Sequence, residues 1–316
     1  MREYRTFSEY LSSLFSGRVQ KIAVNAGLGC PNRDGKVGTG GCIFCNNAAF
    51  NPSYAYDSSD SITKQLEAGV KFFSGKGDIK GYLPYFQTYS NTYGPTDKLI
   101  YLYEEALAFP GAVGLVIATR PDCLDPALLD YFEERFGRKS PEEHPFLLIE
   151  IGIESTNDAT LHRINRGHDY ACAQKAVRNL ADRGIAVGAH LILGLPGETD
   201  EDYVIHARRL SELPISTLKL HQLQVIKGTA LADEYTENPD SLKLMSPQEY
   251  AHAVELFVDN LREDIVLDRF VSETPKDMVI APAWGLKPSE FARFLGSKEK
   301  MITLRRCCRS TSNIPF

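Results

Sequence analysis

The chain has 316 residues, 43% of them apolar and 24% charged, with a net charge of −6. A chain of this size buries on the order of 75% of its unfolded surface, so one large domain, or one with a tail, is expected. No run approaches the ~20 apolar residues of a membrane span, the start Met1-Arg-Glu-Tyr-Arg lacks a signal-peptide core, and the acidic balance argues against a wholesale nucleic-acid binder.

Apolar runs alternate with helix-period segments. Strands are predicted near 19–25, 82–89, 114–119, 146–153, 185–193 and 216–225. Helices are predicted after Ser61, after Thr96, from Asp125-Pro126, and over about 170–183 and 199–211, with Asp169 and Thr199 as caps. Six such units imply parallel strands with helices outside, because each crossover must return over the sheet. The nearly all-apolar runs 146–153 and 185–193 suit strands covered on both faces. An open doubly wound sheet and a barrel both remain, and both put ligands at the carboxyl ends of the strands. After about residue 226 the alternation is expected to stop. A capped helix from Ser246-Pro247 to about Leu261, a loop with Trp284 and a short helix from Pro288 then form an extension. The expected boundaries are a lead-in over 1–18, a core over 19–226 and an extension over 227–316.

Charge is uneven. Residues 1–45 carry six cations (Arg2, Arg5, Arg18, Lys21, Arg33, Lys36) against Glu3, Glu9 and Asp34, and the end carries Lys298, Lys300, Arg305, Arg306 and Arg309 against Glu299. These ends read either as solvated tails or as a surface for an anionic ligand. Seven cysteines, an odd number with three clustered, fit a reducing cytoplasm better than a disulfide framework.

Cys30, Cys42 and Cys45 follow the first strand. Three thiolates there can hold three irons of a [4Fe-4S] cluster and leave the fourth iron open. A Cys-x2-Cys pair equally suits zinc, but structural zinc wants four closed ligands, and no histidine precedes His144. A redox pair would explain Cys42 and Cys45 but not Cys30. Cys123 and Cys172 read as inert thiols. The vicinal Cys307-Cys308 offers two metal ligands, too few for a second cluster. His190 and His221, in apolar strands, read as core residues or as proton-transfer groups.

The segments Asn25-Ala-Gly-Leu-Gly-Cys-Pro-Asn-Arg-Asp-Gly and Gly40-Gly-Cys-Ile-Phe-Cys-Asn47 resemble the radical S-adenosylmethionine (SAM) enzymes. The likeness is to a bacterial family close to the Elongator catalytic subunit and oxygen-independent coproporphyrinogen oxidase. It continues through Tyr85–Tyr93, Ile117–Asp122, Glu150–Ser155, Arg163–His168, Gly188–Glu198 and Lys227–Leu231. Eleven residues part Cys30 from Cys42, where the commonest radical SAM enzymes have three, and the resembling family shows this wider spacing. The Pro- and Gly-bearing insert is expected to loop out while both ends meet one cluster.

The resemblance implies an α/β fold, a partial (β/α)6 TIM-like barrel with a C-terminal extension. It implies a [4Fe-4S] cluster on the three cysteines, S-adenosyl-L-methionine, and an electron donor such as flavodoxin or ferredoxin. Phe44 is expected near the adenine. Thr88, Ser90 and Asn91 are candidates for the SAM ammonium, against ordinary strand-end hydrogen bonding. Glu150, Glu154 and Ser155 are candidates for the ribose, with a buried Arg partner as the alternative for Glu150. Arg163 and Arg166 are candidates for the cofactor carboxylate or a substrate anion. Gly194, Gly197 and Glu198 are candidates for the adenine, although a turn alone would want the glycines. The substrate implied is the side chain of a tRNA wobble uridine. The alternatives are a small-molecule or porphyrin-pathway substrate, or a non-catalytic binding module stabilised by zinc or a cluster.

Overall fold

The computed structural model describes residues 3–51, 53–54, 60–75, 77–137, 144–272 and 274–296. Six strands and their crossovers run in chain order. They are β1 (Arg18–Val24), β2 (Ile79–Phe86), β3 (Gly114–Thr119), β4 (Phe146–Glu154), β5 (Ala186–Leu193) and β6 (Thr217–Gln222). Before and between them lie α1 (Phe7–Leu14), α2 (Ile62–Phe73), α3 (Thr96–Leu107), α4 (Pro126–Phe136), α5 (Asp158–Arg163), α6 (Tyr170–Asp182) and α7 (Asp200–Ser211). The caps follow local chemistry. Asp125 accepts from Ala127 N ahead of Pro126, Asp169 from Cys172 N, and Asp202 reaches back to Thr199 N.

The rest of the chain forms β7 (Val225–Ile226), α8 (Ala230–Glu237), α9 (Pro247–Asp259), β8 (Val266–Arg269), β9 (Val279–Ala281) and α10 (Pro288–Gly296). Here the structure differs from the sequence reading. The alternation does not end near residue 226, because α9 returns the chain to lay β8 parallel to β6. The sheet therefore has seven parallel strands in the order β1-β2-β3-β4-β5-β6-β8, curled into a half-barrel. The four-residue β8 is too short to stand out in the hydropathy pattern.

One core lies between the outer face of the sheet and the helices. A second fills the bottom of the barrel, where Phe7 and Leu11 of α1 pack against Leu83, Val116, Leu148 and Val266. A Thr6–Glu9 capping box starts α1, and Thr6 bridges to Leu267. This plug closes the bottom of the barrel and leaves the opposite end, at the strands' carboxyl termini, open for a ligand.

Two sheet irregularities shape that end. The pairing of β6 with β8 slips between Leu218 and Lys219, so Asp268 bulges and Arg269 stands opposite Lys219. Bulges re-aim side chains and cluster next to active sites. The pairing of β4 with β5 slips between Gly152 and Glu154. Glu154 has a φ of 69°, and the other non-glycine residues with positive φ among those described are Tyr89 and Asn165. Such backbone costs on the order of 1–3 kcal/mol per residue and collects at functional sites.

Candidate functional site

Cys30, Cys42 and Cys45 line one pocket at the open end of the barrel. The insert between them does loop out. It closes on itself through Val37 N to Pro31 O (2.8 Å) and an Asp34–Thr39 bridge. It is then clamped by the turn after α5. Asn165 donates to Gly41 O (2.8 Å), Ile43 N donates to Ile164 O (3.1 Å), and Asn32 donates to Asn165 O (2.6 Å). The positive φ of Asn165 belongs to this clamp.

The thiols sit among nitrogen donors. Arg166 Nη1 approaches Cys42 Sγ at 3.4 Å and Asn47 Nδ2 approaches Cys45 Sγ at 3.5 Å. Arg33 donates to Cys45 O at 2.5 Å. Burial opposes the charge of Arg166, but Cys42 and Glu154 more than compensate and raise its pKa. Burial and the neighbouring Cys42 push the Cys45 thiol up to about 11. Among the described residues, no three His, Cys, Asp or Glu side chains converge on a single-ion position. A tetrahedral zinc would bring its ligand sulfurs within about 4 Å of one another, from Zn–S bonds near 2.3 Å.

Of the other sequence candidates, Phe44, Ser90, Glu150, Glu154 and Arg166 line this pocket. Ser90 is 1% exposed, with the Cys123 thiol as the polar neighbour of its hydroxyl. Arg166 Nε and Arg120 Nη1 are buried without partners at the pocket wall. Glu154 lies 3.5 Å from Arg166 Nη2. A Cβ on Gly152 would stand 2.5 Å from the Glu154 carboxylate and 2.7 Å from Arg166, so any larger residue would displace the ends of that pair.

Several candidates are placed elsewhere. Thr88 donates to Asn25 Oδ1 (3.2 Å), and Asn91 spans Phe86 O (3.0 Å) and Ala118 O (2.9 Å), stitching β2 to β3. Ser155 donates to Glu198 Oε1 (2.5 Å), which also meets His206 (3.0 Å), tying the turns after β4 and β5 together. Arg163 is 41% exposed and pairs with Glu234 at 2.5 Å, away from the pocket. Gly194 and Gly197 have φ near +90° and do not line it, so the turn alone accounts for them.

Glu150 is a correction of a different kind. Its oxygens accept from Lys219 (2.6 and 2.5 Å) and Tyr85 (2.7 Å) and meet His190 (2.9 Å), and the residue is 1% exposed. Oε2 takes Lys219, Tyr85 and His190 and Oε1 takes Lys219, so most of its acceptor capacity is engaged within the barrel. The partner is Lys219 rather than an arginine. Asp268 joins at 3.4 Å from Lys219 and 2.6 Å from Lys21. Burial pulls the Lys219 pKa down to about 8. Burial opposes ionisation of Glu150, but Lys219 and His190 outweigh it and hold the carboxylate well below its usual range. His190 stacks on His221 with ring centroids 5.5 Å apart. Sequence reasoning passed over Tyr85, Lys219 and Arg269. The signal for Lys219 was there: Lys219 and His221 are two apart in an apolar strand and so share a face.

A family model described as the radical SAM superfamily matches residues 24–210, and the radical SAM C-terminal domain matches 215–298. The chain belongs to the radical SAM superfamily. The radical SAM fold accounts for the half-barrel, and members of the superfamily bind a [4Fe-4S] cluster and SAM. Full-length relatives include the uncharacterized protein MJ0486 of Methanocaldococcus jannaschii, 33% identical over 309 residues (94% of this chain, 91% of the relative). The uncharacterized protein YtqA of Bacillus subtilis is 32% identical over 289 residues (92% and 87%). A tRNA uridine(34) acetyltransferase of Dehalococcoides mccartyi is 30% identical over 128 residues, covering 40% of this chain and 26% of the relative. Among solved radical SAM structures, the archaeal Elp3 of Methanocaldococcus infernus superposes with a TM-score of 0.62 at 16% identity, covering 83% of this chain. HemN of Escherichia coli gives 0.51 at 16%, covering 79%. The chain spans 58% and 54% of those two proteins, and the likeness is one of fold.

Proposed function

We propose that this radical SAM enzyme holds three irons of its cluster on Cys30, Cys42 and Cys45 and acts on a nucleotide of RNA, with tRNA the first candidate. The observation that carries the cluster assignment is that three thiols share one pocket wall, with Arg166 and Asn47 donating toward two of them. When bound and reduced by a donor such as flavodoxin or ferredoxin, the cluster supplies the electron that splits SAM into methionine and a 5′-deoxyadenosyl radical, which takes a hydrogen atom from the substrate.

The chain's own residues do the positioning. Arg166 and Asn47 donate toward Cys42 and Cys45 and stabilise thiolate charge. The Ser90 hydroxyl, which lines the same pocket as Phe44 and Glu154, offers a hydrogen bond to the cofactor's amino-acid or ribose part. Phe44, half-buried, keeps water from the cysteine wall. The RNA reading rests on the named activity of the tRNA uridine(34) relative, which aligns with 40% of this chain. The acidic net charge gives it no support. Among the described residues no helix is long and apolar enough to cross a membrane.

The test is anaerobic incubation of reconstituted protein with dithionite, SAM and total tRNA, followed by nucleoside mass spectrometry. A new or depleted tRNA nucleoside supports the reading. Formation of 5′-deoxyadenosine with every tRNA nucleoside unchanged would leave the radical chemistry standing and remove RNA as substrate.

A further inference from the structure

Beside the cysteine pocket lies a second opening of about 960 Å³, on the side of the half-barrel where the edge strands β1 and β8 face each other. Tyr85, Gln87, Gln222, Gln224, Arg269 and Ser272 border both spaces, so the two communicate. The lining of this side opening contains no Asp or Glu among the described residues, in a chain of net charge −6. It carries Lys21, Arg269, Lys276 and Lys287, and its wall includes the aromatic rings of Tyr54 and Trp284.

Arg269 stands at the junction. The bulge at Asp268 turns it inward opposite Lys219. Asp268 itself is committed to Lys21 and Lys219. The Arg269 guanidinium has no ion pair among the described residues, and its Nε is buried without a hydrogen bond. Its charge is felt by its neighbours: after burial, Arg269 is the next cause that lowers the pKa of His221. His221 binds Ser272 Oγ through Nδ1 (2.8 Å) and leaves Nε2 buried and unpartnered. Ser272 N in turn donates to Gln222 Oε1 (2.8 Å), which fixes the loop after β8 to the end of β6. An unneutralised guanidinium, a spare imidazole nitrogen and a fixed hydroxyl therefore face one passage. Arg269 is half-buried with its Nε cut off from water, a setting in which an anionic group answers the charge best. The cysteine wall has its own cations, Arg33 and Arg166, so this charge is not committed to the thiolates.

We propose that Arg269, flanked by His221 and Ser272, binds a phosphate of a nucleotide that enters through the side opening, with the base against Tyr54 or Trp284. Guanidinium forks match phosphate oxygens, and aromatic faces accept any base. The proposal deepens the nucleotide reading above. It distinguishes two sources of the same phosphate, an RNA strand or a free mononucleotide.

The experiment uses full-length reconstituted protein under anaerobic conditions, with total tRNA, uridine 5′-monophosphate and uridine as probes. Wild type is expected to bind the monophosphate at least ~10-fold more tightly than uridine, the strength of a charged hydrogen bond. Arg269→Gln is expected to abolish that preference and to weaken tRNA binding by a similar factor. Arg269→Lys should keep part of both. Iron content and melting temperature report whether each variant is folded. On wild type alone, the monophosphate but not uridine should shield Arg269 from phenylglyoxal, read by peptide mass spectrometry. Monophosphate binding and shielding without tRNA binding would support the site, name the free nucleotide as its source, and remove the RNA reading. Unchanged preference in folded Arg269→Gln, or no shielding by either tRNA or the monophosphate, would overturn the site whether or not tRNA is modified.

Discussion

Replacing Lys219 with Met tests whether the barrel's interior is organised around one ion pair. Lys219 Nζ lies 2.6 and 2.5 Å from the two Glu150 oxygens. Removing it leaves a buried carboxylate with Tyr85 at 2.7 Å, His190 at 2.9 Å and Lys21 at 4.0 Å. Breaking a buried pair costs roughly 3–5 kcal/mol. The remaining partners put this case at the lower end, about 3 kcal/mol. For a chain of 316 residues that corresponds to a fall in melting temperature of about 4–5 °C. The double variant Glu150→Gln/Lys219→Met removes both charges and should recover more than half of the loss, because the penalty belongs to the orphaned carboxylate and not to the missing amine. Urea titration followed by far-ultraviolet circular dichroism measures both. A loss under ~1 kcal/mol for Lys219→Met, or a double variant as unstable as the sum of the singles, would refute the reasoning.

Other consequences are open to measurement. Single Cys30→Ala, Cys42→Ala or Cys45→Ala changes should remove most of about four irons and four sulfides per chain, whereas Cys123→Ala and Cys172→Ala should not; iron and sulfide assays decide it. Gly152→Ala should lower iron retention, since its Cβ would displace the ends of Glu154 and Arg166 and draw Arg166 from Cys42; normal iron content would show that this pair does not support Cys42. The Lys219 pKa is pulled from 10.5 down to about 8. The unfolded chain therefore holds more protons between those values, and wild type should gain stability relative to Lys219→Met as pH rises from 8 to 10.5. A flat difference across that range would place the Lys219 pKa near its ordinary value.

The half-barrel was legible because each strand-helix unit announces itself by period and cap. Doubly covered strands such as β3 and β4 are continuous apolar runs, and Asp125, Asp169 and Ser246 stand where caps should. Strand β8 was not legible, because four residues carry no period and a bulge breaks even that. The cysteines were visible through their spacing. The buried polar residues were harder. Glu150 stood out as a carboxylate in an apolar strand, but its partner lies 69 residues away on β6, and no local pattern links the two. Ser155 and Glu198 looked like ligands because polar residues at strand ends usually are, yet they bond to each other across two turns. Arg305, Arg306, Cys307 and Cys308 lie outside the described residues.

The most direct test of the central claim is electron paramagnetic resonance of the anaerobically reconstituted, dithionite-reduced protein, with and without SAM. The account predicts about four irons per chain and a reduced-cluster spectrum that changes when SAM is added, because one iron has no cysteine. It also predicts 5′-deoxyadenosine in the same tube. A protein that takes up one zinc in place of iron, or whose cluster spectrum is indifferent to SAM and yields no 5′-deoxyadenosine, would contradict it.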